Sequence, residues 1–96
     1  MTPERKVKNT VVAILKEHGA YYFFPVTGGY GTSGVPDIIG CINGKFFGIE
    51  CKAGRGTTTA PQDKHIAQIT AVGGKAIVIN ENNLTDVHHL MKTMKG

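Results

Sequence analysis

The sequence predicts an α/β domain built around a mixed four-stranded sheet, with the element order α-β-β-β-α-β-α. Three observations support this fold class. Helical periodicity of apolar residues occurs in three stretches, short apolar runs lie between them, and an Asn43-Gly44 pair joins two of those runs. Because the chain has 96 residues, we expect one domain over residues 1–96.

The first helix is predicted to begin at Thr2-Pro3-Glu4, which combines a capping hydroxyl, a proline at the first helical position and an acid in the first turn. Its apolar residues recur on one face, and Gly19 ends it. Residues 21–27 are predicted to form a strand, which Pro25 restricts to an edge or a bulge. A glycine-rich loop at 28–34 follows.

The clearest local signal is a β-hairpin formed by Val35 to Ile42 and Lys45 to Lys52. Asn43-Gly44 between two apolar runs is typical of a two-residue type I′ turn. Residues 53–58 are expected to form a flexible loop.

The second half of the chain supplies two helices and a strand. Thr59 followed by Gln62 resembles a capping box that opens a second helix, which Gly73-Gly74 ends. Lys75 to Asn80 is predicted to be a short buried strand. An amphipathic last helix carries apolar residues on one face, namely Leu84, Val87, Leu90, Met91 and Met94.

The hairpin register brings acidic and basic side chains together. A two-residue loop pairs Ile42 with Lys45, and counting outward places Asp37 opposite Glu50, with Lys52 on the same face. Two carboxylates so placed repel each other unless a divalent cation lies between them. Oxygen ligands at this density suit Mg²⁺ or Mn²⁺ better than zinc.

The two helices before and after the hairpin add polar groups that point the same way. Glu4 shares the apolar stripe of the first helix, and Gln62 heads that of the second. Each residue also has a simpler interpretation: Glu4 as an offset to the helix dipole, Gln62 as a cap, Asp37 as a turn residue and Glu50 as a solvated partner of a lysine. Because these residues lie on separate elements and are all predicted to face one another, a shared metal site is favoured over these simpler interpretations.

At these residues the chain resembles a known family. Gly34 to Ile38 (GVPDI), Gly48 to Lys52 (GIECK) and Gln62 resemble the PD-(D/E)XK nuclease signature, and more narrowly the virus-type replication-repair nuclease (VRR-NUC) domain. The likeness runs from about residue 2 to about residue 80 and includes further short motifs. These are Thr2-Pro3-Glu4, Gly19-Ala20-Tyr21-Tyr22, Gly29-Tyr30-Gly31 and Pro61-Gln62.

The resemblance implies a restriction-endonuclease-like core and a Mg²⁺- or Mn²⁺-dependent phosphodiesterase. Stand-alone members are small, dimeric and directed at branched DNA such as Holliday junctions. Asp37, Glu50 and the backbone carbonyl of Cys51 would then bind metal, and Glu4 would be an additional ligand. Lys52 would orient or polarise the attacking water. Gln62 would help to position Lys52 or the water.

Four other residues are candidates for contacts with DNA: Tyr30, which could stack on an unpaired base, Arg55, Lys64 and His65. For each of them, plain solvation or loop flexibility is the competing interpretation. The GxGxxG pattern within residues 29–34 is not interpreted as a nucleotide site, because a strand rather than a helix follows it.

Composition agrees with a nucleic-acid partner. The net charge is +4, which favours an anionic ligand. No apolar run approaches membrane-spanning length, the N-terminus is charged, and two cysteines without a CxxC are typical of reduced thiols. We therefore expect a cytoplasmic protein of a bacterial or phage-infected cell.

A homodimer is expected for a chain of this size that cuts two strands, since each chain offers one active site. The last helix and residues 21–25 are the candidate interfaces. Alternatives to a junction nuclease are a restriction-like or flap/end-processing nuclease and a catalytically silent DNA-binding module.

Overall fold

The part of the chain that the structure describes contains three helices and the four strands of one sheet, in the predicted order α-β-β-β-α-β-α. The computed structural model describes residues 1–26 and 33–96. The helices are Pro3–His18 (α1), Ala60–Ala71 (α2) and Thr85–Lys95 (α3), and the strands are Tyr21–Phe23 (β1), Ile38–Ile42 (β2), Lys45–Cys51 (β3) and Lys75–Ile79 (β4).

The sheet is mixed, as predicted, with the strand order β1-β2-β3-β4. The first three strands are antiparallel, whereas β4 runs parallel to β3. Asn43 and Gly44 have φ values of 53° and 74°, so both central residues of the hairpin turn adopt the left-handed conformation of a type I′ turn. Ile42 pairs with Lys45 and Ile38 with Ile49, which confirms the predicted register.

All four strands are shorter than the sequence pattern predicted, β3 and β4 only because they end at Cys51 and Ile79, one residue early. The strand predicted over residues 21–27 ends at Phe23, before Pro25, which has no N–H for a ladder. The strand predicted from Val35 begins at Ile38, because Pro36 likewise cannot donate to the sheet. The chain between these strands therefore approaches β2 as a loop, with Asp37 at its end.

One face of the sheet carries α1 and α3. The core between these two helices and the sheet contains side chains of both helices and the alternate β3 residues Phe47, Ile49 and Cys51. Thr2 caps α1 through its side chain, and Gly19 ends the helix with a φ of 77°, as predicted.

The apolar side of α3 is part of this core. Val87, Met91 and Met94 are at most 2% exposed. These side chains are therefore already covered within the monomer, which leaves the region around residues 21–25 as the better candidate for a dimer interface.

The opposite face is covered by α2, which packs on β3 and β4. A Cβ on Gly48 would lie 3.2 Å from the Ile69 side chain, so the helix sits close over the middle of β3. Among the described residues, nothing covers the part of this face formed by β1 and the start of β3, where Tyr21 is 69%, Phe23 48% and Phe46 46% exposed. Within residues 1–26 and 33–96, no helix is long and apolar enough to cross a membrane.

Candidate active site

Three carboxylates from three separate elements converge at one end of the sheet. Glu4 comes from the first turn of α1, Asp37 from the residue before β2, and Glu50 from β3. One oxygen of each lies within 4.8 Å of the others. Because Ile38 pairs with Ile49, the next step outward places Asp37 opposite Glu50. The structure thus brings together the three acids that the sequence pattern indicated.

Glu50 is the buried member of this cluster, with only 2% of the residue exposed. Its Oε2 accepts a hydrogen bond from Gln62 Nε2 at 3.1 Å and lies 3.5 Å from Lys52 Nζ. Its Oε1 is buried and has no hydrogen-bond partner among the described residues. A buried, unpaired carboxylate oxygen is unfavourable by itself, so this atom fits a ligand to a cation.

The electrostatics of the cluster also disfavour a negative charge on Glu50 when no cation is bound. Burial, reinforced by the nearby Asp37 carboxylate, raises the pKa of Glu50 from its ordinary value of 4.5 to about 7, although Lys52 acts in the opposite direction. The metal-free carboxyl therefore exchanges its proton near neutral pH. A divalent cation between the carboxylates would favour the ionised form and remove the repulsion.

Asp37 is held by the main chain of the opposite hairpin arm. Its Oδ2 accepts a hydrogen bond from the Cys51 backbone N–H at 2.9 Å. The Cys51 side chain points into the core and is fully buried. Burial, with Asp37 and Glu50 nearby, raises the pKa of this thiol to about 12, so Cys51 contributes its backbone and not its sulfur. Metal binding by its carbonyl remains a prediction.

Lys52 lies at the end of β3 on the same face as Glu50. Its backbone N–H donates to the Ile79 carbonyl at 2.9 Å, so β4 holds the main chain just where the side chain leaves the sheet. The Lys52 side chain is 14% exposed. Its ammonium is therefore a fixed positive charge at the edge of the acidic cluster.

Gln62 combines two roles that were alternatives on sequence grounds. Its Oε1 accepts from the Thr59 backbone N–H at 2.9 Å, which together with the Thr59 side chain completes the capping box of α2. Its Nε2 donates to Glu50. The capping hydrogen bond thus fixes the Gln62 side-chain amide, which in turn holds the Glu50 carboxylate. Gln62 and Lys52 share Glu50 Oε2 as their partner, and the predicted role of Gln62 in positioning Lys52 or the water stays a prediction.

Gly34 sets the distance between the Asp37 loop and the N-terminus of α2. It has a φ of +88°, and a Cβ at this position would lie 2.5–2.7 Å from backbone atoms of Pro61 and Gln62. Only glycine permits both this conformation and this approach. The glycine of the GVPDI motif therefore places Asp37 and Gln62 on the same site.

We expect Gly34→Ala to destabilise the protein by about 2–4 kcal/mol, because it combines left-handed strain with a backbone clash. Gly54→Ala is the matched control, since Gly54 has a φ of +58° and a methyl group there would meet no atom within 4 Å. It should cost only about 1–2 kcal/mol. Urea denaturation measures both values, and equal losses for the two variants would contradict the assigned role.

The predicted DNA contacts divide into three groups. Lys64 and His65 line a surface pocket of ≈ 540 Å³ that also includes Pro61, next to Gln62. Arg55 is exposed in the predicted loop at 53–58, in a turn closed by a hydrogen bond from the Gly56 N–H to the Ala53 carbonyl. Tyr30 lies outside the described residues.

Two basic residues at the site were missed from the sequence. Arg5 and Lys8 are not among the residues that the sequence pattern selects, but they line a pocket of ≈ 480 Å³ together with Glu4 and Asp37. The position of Lys8 four residues after Glu4 is the signal that could have identified it, because residues i and i+4 share a helix face, whereas the spacing gives no such signal for Arg5.

Comparison with models of known protein families gives no match to this chain. A comparison with curated protein sequences also gives none.

Proposed function

We propose that this protein is a Mg²⁺- or Mn²⁺-dependent DNA endonuclease with a PD-(D/E)XK-type core of the VRR-NUC kind. The observation that carries the proposal is the buried and unpaired Glu50 Oε1 within a cluster of three carboxylates, with Lys52 beside it. A solvated strand-face pair would leave Glu50 exposed, whereas this residue is 2% exposed.

The donor set fits a hard divalent cation. Glu4, Asp37 and Glu50 offer oxygen atoms only, and these lie within 4.8 Å of one another. Two oxygens bound to one Mg²⁺ on opposite sides at about 2.1 Å are about 4.2 Å apart, so small side-chain movements are enough to bind one ion. The exposed position of Glu4 leaves room for water or a phosphate oxygen on the open side.

Phosphodiester hydrolysis needs an activated water and compensation for the negative charge that grows on the phosphate. A bound divalent ion supplies both effects. Lys52 holds a positive charge next to Glu50, where it polarises the attacking water and stabilises the transition state. Gln62 keeps Glu50 in place through its hydrogen bond, and the Cys51 N–H does the same for Asp37.

Basic residues on both sides of the cluster support DNA as the substrate. Arg5 and Lys8 line the pocket on the α1 side, while Lys64 and His65 line the pocket at the start of α2. Together with the net charge of +4, this arrangement offers a path for a polyanionic strand across the acidic centre.

We propose branched DNA as the preferred substrate and a homodimer as the active form. Symmetric incision of two strands requires two active sites, which a twofold dimer of this one-site chain provides. The open sheet face at Tyr21, Phe23 and Phe46 is the candidate interface, since exposed aromatic residues are enriched in such contacts.

A cleavage panel tests the function. Four-way junction, flap, nicked and linear duplex DNA are incubated with the protein in Mg²⁺, in Mn²⁺ and in EDTA. We expect cleavage of branched substrates only with the metals. Preference for linear duplex would favour a restriction-like enzyme, preference for flaps an end-processing one, and no cleavage with either ion would contradict nuclease function and favour a DNA-binding module.

A further inference from the structure

A second set of charges lies beside the carboxylate cluster, in the pocket of ≈ 480 Å³ on the α1 side. Two of its lining residues, Glu4 and Asp37, belong to the candidate metal site, and two others, Arg5 and Lys8, are basic. Neither basic side chain forms an ion pair with a carboxylate of the described residues. The pocket therefore offers two cationic groups that are free to bind an external anion.

Lys8 is directed by an aromatic neighbour. Its Nζ lies 4.2 Å from the centroid of the Phe24 ring, a cation–π contact that holds the ammonium at the pocket without neutralising its charge. Phe24 itself is 46% exposed and packs against Tyr22, with ring centroids 5.9 Å apart. Phe24, tilted by 54° from Tyr22, thus offers one exposed aromatic ring beside Lys8 at the cationic side of the pocket.

The spacing along α1 relates these groups to the metal site. Glu4 and Lys8 are one helical turn apart, which separates them by about 6 Å along the axis. This step is comparable to the distance between neighbouring phosphates of a nucleic-acid strand. A strand whose phosphate reaches the carboxylates would therefore carry its next phosphate past Lys8 and Arg5.

We propose that Arg5 and Lys8 form a subsite for the phosphate adjacent to the one that is cut, and that Phe24 stacks on an unpaired base of the same strand. This inference rests on the proposed nuclease function. Each phosphate contact offsets the repulsion between DNA and the acidic cluster. An aromatic surface beside the phosphates selects strands with an unstacked base, such as those at branch points, over intact duplex.

Binding and cleavage assays on single variants test the subsite. Arg5→Gln and Lys8→Gln are compared with Lys6→Gln, which removes the same charge from the same helix but lines a different pocket, with Glu81 and Leu84. Affinity for a four-way junction is measured with Ca²⁺ in place of Mg²⁺ at several salt concentrations, and kcat and KM are measured with Mg²⁺.

We expect Arg5→Gln and Lys8→Gln each to weaken junction binding at least about fivefold and to lower the slope of log K against log salt by about 0.7–0.9. KM should rise while kcat changes less than about twofold, because the subsite binds ground and transition states alike. Phe24→Leu should reduce the preference for junction over duplex. Lys6→Gln should change affinity less than about twofold, in keeping with a general charge effect only.

If the wild-type protein cleaves DNA, equal losses of junction affinity in Lys6→Gln and Lys8→Gln would overturn the subsite and leave the nuclease proposal intact. Absence of cleavage by the wild-type protein would instead overturn the nuclease proposal. In that case the binding comparison still decides whether Arg5 and Lys8 contact the phosphates.

Discussion

Lys52→Ala is expected to reduce DNA cleavage by at least about 10²–10³-fold, the range found when a single transition-state contact is removed. The Lys52 ammonium lies 3.5 Å from Glu50, at the edge of the cluster where the phosphate acquires negative charge. DNA affinity should fall less than about threefold, because binding depends on many phosphate contacts. Single-turnover cleavage and gel-shift assays on a four-way junction measure the two effects separately.

Lys16→Ala is the matched control for this variant, since Lys16 is an exposed residue in the last turn of α1. It removes the same charge far along the helix from Glu4 and should retain full activity. Substantial cleavage by Lys52→Ala would show that the amine is not part of the catalytic machinery.

Glu50→Gln is expected to abolish metal-dependent cleavage and, at the same time, to stabilise the metal-free protein. The residue is 2% exposed with one unpaired oxygen, so its negative charge is unfavourable in the absence of a cation. Glutamine keeps the shape and can donate to Asp37. Opposite effects of one substitution on activity and stability would be typical of a site that stores electrostatic strain for function.

The pH dependence of this stabilisation has a definite sign. The pKa of Glu50 is raised from 4.5 to about 7 in the folded protein, so the folded state binds the proton more tightly than the unfolded state. Wild-type stability therefore falls as the pH rises from about 4.5 to 7 and stays lowered above that range. The raised pKa corresponds to a loss of about 3 kcal/mol in the free energy of unfolding above pH 7. Glu50→Gln should recover about 2 kcal/mol of this loss, because the substitution also removes the charged partner of Lys52.

Urea denaturation in EDTA at pH 5 and pH 8 measures this effect. We expect Glu50→Gln to exceed the wild type by about 2 kcal/mol at pH 8 and by much less at pH 5. Glu81→Gln, at an exposed residue whose glutamine oxygen can still accept the Gly54 N–H, is the charge-matched control and should show no such difference. A gain in the free energy of unfolding that is the same at both pH values would contradict the raised pKa of Glu50.

The geometry of the hairpin could be predicted from sequence because it depends on local rules. Asn43-Gly44 accepts the left-handed conformations of a type I′ turn, and the turn then dictates every pairing up to Ile38 and Ile49, next to Asp37 and Glu50. The caps at Thr2 and Thr59 are likewise local. These signals were sufficient to select the acids, Lys52 and Gln62 as neighbours.

Properties that arise from tertiary packing could not be predicted in this way. The burial of Glu50 depends on how closely α2 approaches the sheet, which Gly34 permits at Pro61. Arg5 and Lys8 could not be selected from the sequence, because the pocket they line forms only once α1 lies beside Asp37. The short β1 reflects Pro25, whose effect on an edge strand was foreseen in kind but not in extent.

Mn²⁺ binding to the wild type and to Asp37→Asn, followed by electron paramagnetic resonance, tests the shared cation site most directly. Asp37 offers an oxygen within 4.8 Å of those of Glu4 and Glu50, so its loss should weaken Mn²⁺ binding at least about tenfold. The charge-matched Glu17→Gln should bind as the wild type does. Equal Mn²⁺ affinity in the wild type and Asp37→Asn would show that these carboxylates do not form one metal site.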